Sequence, residues 1–154
     1  MRELVIRTPD DWHCHLRDGL YLRRTVGDHA GRFGRVVAMP NLIPPLTKAD
    51  QIMDYRERIL NAMPEHASFE PIMSLYLTSE TTPEDIENAS SSGIKACKLY
   101  PAGVTTNSAA GPTHIKDMYP IFACMEERGL ILQIHGETTD VSHDIFDREK
   151  YFID

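Results

Sequence analysis

Short apolar runs alternate with longer amphipathic stretches along this chain, and the alternation predicts its architecture. Gly34 to Met39, Phe69 to Leu77, Ile94 to Tyr100 and Gly129 to His135 are near-continuous apolar segments of strand length. Such runs suit parallel strands covered on both faces. Asp11 to Leu16 alternates polar and apolar residues, as a strand does when one face lines a site, and it brings the count of parallel strands to five. Glu3 to Thr8 reads as a further strand outside the main sheet.

Helical periodicity fills the intervals. Thr47-Lys48-Ala49-Asp50 resembles a capping box opening a helix whose apolar face includes Ile52, Tyr55, Ile59 and Met63. Thr82-Pro83-Glu84-Asp85 offers a capping hydroxyl, a proline for the first turn and acids near the helix N-terminus. A third helix is expected from about Ile115 to Arg128, stopped by Gly129, and Ser142 to Asp154 begins another. Strand–helix alternation of this kind predicts an α/β fold with right-handed crossovers. Trp12, Tyr119 and Phe122 are read as core residues.

Composition narrows the function little. The chain has 154 residues, 42% hydrophobic and 25% charged, which suits one globular domain. A net charge of −7 argues against a nucleic-acid partner, which needs clustered Lys and Arg. No apolar run is long enough to cross a membrane, and the first residues lack the pattern of a signal peptide. Cys14, Cys97 and Cys124 form no CxxC pair and no disulfide framework, so a reducing compartment such as the cytoplasm is expected.

Candidate chemistry gathers where the strands end. His13 and His15 are two apart on a strand, hence on one face with Cα atoms roughly 6–7 Å apart. Two imidazoles at that spacing can converge on a zinc ion, while Cys14 points away as a small packing residue. On spacing alone, a metal half-site and two unrelated polar residues both remain open. Arg17 follows the first strand, Asn41 the second, Lys98 lies in the fourth run and His135 closes the fifth. Polar residues at strand C-terminal ends are how α/β barrels build active sites. A lysine inside an apolar run is costly unless paired, neutralised or chemically changed. Lys95 is read as snorkelling, although periodicity does not choose between it and Lys98. His135 alone also fits a core histidine bonded to a carbonyl, and His29, His66, His114 and His143 carry no assigned role.

Taken together, DDWHCHLRDG at 10–19, VVAMPNLIPP at 36–45, KLYPAGVTTNS at 98–108 and IHGE at 134–137 resemble the stand-alone bacterial dihydroorotases of the amidohydrolase superfamily. The tail DIFDREKYFI resembles the same family, so the likeness spans essentially the whole chain. It implies a (β/α)8 TIM barrel of the metal-dependent hydrolase type with two Zn2+ per subunit. His13 and His15 would bind the more buried zinc, His135 the other, and an N6-carboxylated Lys98 would bridge both. Arg17 and Asn41 would hold the substrate carboxylate, with Thr105 and Thr106 in a loop that closes over it. The implied reaction is the reversible cyclisation of N-carbamoyl-L-aspartate to L-dihydroorotate in pyrimidine synthesis, by attack of a metal-bridging hydroxide on the ring amide. A cytoplasmic homodimer acting on a small molecule is expected.

A (β/α)8 barrel typically needs about 250 residues. Residues 1–154 are therefore expected to be the N-terminal part of a single barrel domain that stops before the sixth strand. The family's second histidine for the outer zinc and its general-base aspartate are expected on the sixth and eighth strands, so no catalytic base is assigned within this span. Alone, the span is expected to be inactive and poorly stable. Two other readings compete: a related cyclic amidohydrolase such as a hydantoinase or allantoinase, and a non-catalytic scaffold homologue.

Overall fold

The computed structural model describes residues 3–153. Five parallel strands lie side by side in chain order: β1 (Asp11–Cys14), β2 (Arg35–Ala38), β3 (Glu70–Leu77), β4 (Ala96–Leu99) and β5 (Ile131–Ile134). Helices α1 (Leu22–His29), α2 (Ala49–Asn61), α3 (Pro83–Ser91) and α4 (Tyr119–Glu127) provide the crossovers, and α5 (Arg148–Ile153) follows β5. All five expected strands of the sheet are present. Glu3 to Thr8 forms no strand; it is irregular, and its apolar side chains Leu4, Val5 and Ile6 are largely exposed.

The sheet is strongly curved. Neighbouring strands are about 4.8 Å apart, so a flat sheet would separate β1 from β5 by roughly 19 Å. Instead the Gln133 amide on β5 donates to the Trp12 carbonyl on β1 at 3.1 Å. That bond crosses the concave side and defines a half-barrel with an inner and an outer face.

Register assigns residues to those faces. Val36, Ala38, Met73, Leu75, Leu77, Cys97 and Leu99 belong to one buried cluster with Ile52, Tyr55 and Ile59 of α2 and Ile86 of α3, so they form the outer, helix-covered face. Val37, Ser74, Tyr76, Ala96, Lys98 and Gln133 alternate with them and face inward. On β5 the inner Ile131 and the outer Ile134 are 62% and 42% exposed.

The helix ends show which local signals held. Thr82 caps α3: its hydroxyl accepts from the Asp85 N–H, and the Asp85 carboxylate accepts from the Thr82 N–H at 3.0 Å. At α2 the box is shifted. Lys48 is the N-cap residue and Gln51, not Asp50, reaches back to the Thr47 and Lys48 amides at 3.0 and 3.2 Å. Ile52, Tyr55 and Ile59 are buried as expected, whereas Met63 lies beyond the helix end. The third helix divides into a 3-10 turn, Ile115–Met118, and α4, with Pro120 in the first turn of α4. Gly129 then takes a left-handed φ of 66°, which favours glycine. Trp12 and Tyr119 are more than half exposed and Phe122 is half-buried, so none is a true core residue. The Arg35 guanidinium stacks over the exposed Trp12 ring, 5.0 Å from its centroid.

Candidate metal and substrate site

The site begins with an irregularity in β1. Asp11 pairs with Val36 and Cys14 with Ala38, so three steps on β1 oppose two on β2. This bulge places Asp11 and Cys14 both on the outer face, beside Val36 and Ala38. It turns His13 and His15 inward, with ring centroids 5.1 Å apart. Re-aiming side chains is what bulges do near functional sites.

Lys98 enters the same concavity from β4. It is 3% exposed, flanked in the ladder by Tyr76 and Gln133, and its ammonium lies 5.2 Å from the centroid of the Tyr100 ring. Burial lowers its pKa from the ordinary lysine value, and no carboxylate opposes the shift. Lys95 is exposed, as its snorkelling reading expects. His135 follows β5, its N–H bonded to the Leu99 carbonyl at 2.9 Å.

Burial and neighbouring charge favour the neutral, ligand-competent form of His13 and His15. Burial lowers the pKa of His13, and the charges of Lys98 and His135 push the same way. Burial also lowers His15, followed by Arg17 and His13, with Asn41 opposing weakly. Nδ1 of His15 is buried without a hydrogen-bond partner. The Glu137 carboxylate lies 2.8 Å from Nε2 of His135. A proton held on that nitrogen leaves Nδ1 as the basic one, the usual role of a carboxylate behind a metal-binding histidine. A buried imidazole nitrogen without a partner and a buried lysine without an acid fit a metal-binding concavity better than a sealed core.

Beside this concavity lies an open cavity of about 710 Å³ lined by Arg17, Asp18, Asn41, Leu42, Ile43 and Asn107 among others. Arg17 adopts a left-handed φ of 61°, uncommon for a residue with a side chain. The turn is held from behind: the Tyr55 hydroxyl donates to the Arg17 carbonyl, and Arg58 grips the Asp18 carboxylate at 2.8–3.2 Å. Asn41 is buried, and its amide donates to the Thr106 carbonyl at 2.9 Å. Asn107, also left-handed at φ 56°, donates back to the Asn41 carbonyl at 3.0 Å. The Thr105 N–H donates to the Ser108 hydroxyl, which in turn donates to the Thr105 carbonyl. Thr106 thus meets Asn41 through its backbone carbonyl, the Thr105 backbone is tied to Ser108 within the loop, and the loop is pinned to Asn41 from both directions.

The sequence reading missed Asn107, Asp18 and Glu137. An asparagine suited to a left-handed turn was the available signal for the first. Nothing in the periodicity marked the other two. His29 was also left without a role. Among the described residues, the one group of three His, Cys, Asp or Glu side chains whose ligand atoms lie within 4.8 Å of one another is Asp11, Cys14 and His29, on the outer face. His13, His15 and His135 share the inner face without meeting that spacing.

No family model matches the chain. It is 55% identical over 152 residues to the dihydroorotase of Azotobacter vinelandii (strain DJ / ATCC BAA-1303), covering 98% of this chain and 44% of that protein. Over this length the chain is a homologue of the N-terminal part of the dihydroorotases. It spans less than half the length of the curated relatives it matches. The structure of a Saccharomyces cerevisiae dihydroorotase in complex with 5-fluoroorotic acid superposes with a TM-score of 0.84 at 35% identity, covering 94% of this chain and 42% of that one. An L-hydantoinase from Arthrobacter aurescens shares the fold alone, with a TM-score of 0.67 at 14% identity over 85% of this chain and 29% of that one. The five strands are accordingly the N-terminal part of an amidohydrolase TIM barrel. Among the described residues, no helix is long and apolar enough to cross a membrane.

Proposed function

We propose that this chain carries most of the metal site of a zinc-dependent dihydroorotase, the enzyme that reversibly cyclises N-carbamoyl-L-aspartate to L-dihydroorotate in pyrimidine biosynthesis. The observation that carries the reading is the convergence of His13, His15, Lys98 and His135 on one concave face, beside a cavity presenting Arg17 and Asn41. His13 and His15 would hold one zinc, His135 a second, and Lys98 would bridge them. Bound zinc would supply a water of pKa about 7 and polarise the carbonyl under attack.

The chain's own residues prepare this chemistry. Burial favours the neutral amine of Lys98, the form that adds carbon dioxide; the new N–C bond gives a carbamate, and one proton leaves to solvent. Paired with zinc, the anion so formed would remove the cost of an unpaired buried lysine. Arg17 offers a planar fork of donors to a substrate carboxylate. Asn41 already spends one amide hydrogen on Thr106, so contact with substrate through that hydrogen requires the Thr105–Thr106 loop to shift. The fit of Arg17 and Asn41 to a free carboxylate favours dihydroorotate over hydantoin-type rings. Residues 1–154 form the N-terminal part of a single barrel domain in this reading, and the working enzyme is a cytoplasmic homodimer.

The test is a graft of residues 1–154 in place of the matching part of a dihydroorotase relative, assayed with dihydroorotate and with hydantoin. Turnover of dihydroorotate alone is expected, with the isolated 154-residue span inactive as the control. Turnover of hydantoin, or zinc binding with no turnover of either, overturns the assignment.

A further inference from the structure

We propose that Asp11, Cys14 and His29 form a second metal site, on the outer face of β1, that takes a thiophilic divalent cation such as Zn2+. It is separate from the inner-face residues, because the bulge in β1 sends Asp11 and Cys14 to the opposite side of the sheet from His13 and His15.

The geometry is that of a partly assembled coordination shell. Nε2 of His29 lies 3.1 Å from the Cys14 sulfur and 3.3 Å from an Asp11 carboxylate oxygen. In a tetrahedral zinc site, bond lengths near 2.0 Å to nitrogen or oxygen and 2.3 Å to sulfur set neighbouring donors roughly 3.3–3.5 Å apart. The remaining separation, between Asp11 and Cys14, is within 4.8 Å.

The imidazole is prepared for such a role. Its Nδ1 lies 2.8 Å from the Thr25 carbonyl, which can only accept, so Nδ1 carries a proton. In the neutral ring Nε2 is then a bare lone pair facing both the thiol and the carboxylate. The thiol can donate to it; the carboxylate has no hydrogen to offer and meets it lone pair to lone pair. A proton on Nε2 or a metal cation among the three removes that conflict. A carbonyl behind the far nitrogen is the common support of metal-binding histidines. The ring is also fixed by Phe33, stacked at 5.4 Å, and by Phe69 at 6.5 Å.

Access and ligand type select the ion. Cys14 is buried, whereas Asp11 and His29 keep about a quarter of their side chains exposed (24% and 22%), so a fourth position can open to water. One thiolate, one imidazole and one carboxylate suit Zn2+ or Co2+ rather than Mg2+ or Ca2+, which prefer all-oxygen shells. Coordination exchanges the Cys14 S–H proton for the metal, and the proton leaves to solvent.

Cobalt separates this site from the inner one, whose ligands are nitrogen and oxygen only. Adding Co2+ to the purified protein should produce a sulfur-to-cobalt charge-transfer band in the near ultraviolet. The band should persist in Cys124→Ser, which removes the half-buried thiol, and disappear in both Cys14→Val and His29→Phe. Two replacements on different elements guard against a folding defect in either. Absence of the band from the parent protein, or its survival in Cys14→Val, overturns the proposal.

Discussion

The two faces of the half-barrel are made from the same strands yet carry opposite chemistry. Outward residues such as Val36, Leu75, Leu77 and Leu99 are sealed under helices and contribute packing alone. Inward residues at the alternating positions include His13, His15 and Lys98, which are paired with no acid in the sheet. Apart from the Asp11–Cys14–His29 cluster, stability resides on the outer face and candidate reactivity on the inner one, so substitutions should separate the two properties.

The largest effect is expected on the outer face. Leu75→Ala removes a fully buried side chain and should cost about 2–5 kcal/mol, read as a lowered urea midpoint. Gly111→Ala should come next. A Cβ there would stand 1.8 Å from the Tyr100 carbonyl oxygen, so the loop after β4 must move, at about 1–3 kcal/mol. Because that loop is pinned to Asn41, weaker substrate binding should accompany the loss. Thr82→Ala removes the α3 cap and should lower stability by about 1 kcal/mol without changing bound metal.

Lys98→Met separates packing from metal binding. It replaces a buried, unpaired amine with an apolar chain, so stability should be unchanged or raised while bound zinc falls. A large destabilisation would show that Lys98 belongs to the packing. The smallest effect concerns acid. Burial, reinforced by neighbouring positive charge, holds His13 and His15 below the ordinary value of 6.5. The unfolded chain therefore takes up protons first as pH falls through 6.5, and metal-free stability should decline on acidification, by at most about 1.4 kcal/mol per pH unit for each imidazole. His15→Asn should flatten that decline in a pH series of thermal melts.

The sheet was legible in the sequence because β2 to β5 are short apolar runs with clear stops, and Thr82-Pro83 marked α3 by its own chemistry. The helix α1 escaped notice: its buried contacts are only Leu22 and Val26, too sparse for a periodic signal. Trp12 was misplaced because the bulge breaks strict alternation, and no pattern in one strand reveals its partner's register. The inner-face residues could be named from motif likeness and strand position. The Asp11–Cys14–His29 cluster could not, since it depends on the same bulge and on a helix that returns His29 to the sheet.

Anomalous diffraction at the zinc edge, on crystals of the zinc-loaded protein, tests the central claim most directly. Density is expected among His13, His15 and Lys98 and beside His135. Zinc bound at neither place, with the inner face intact, would contradict it.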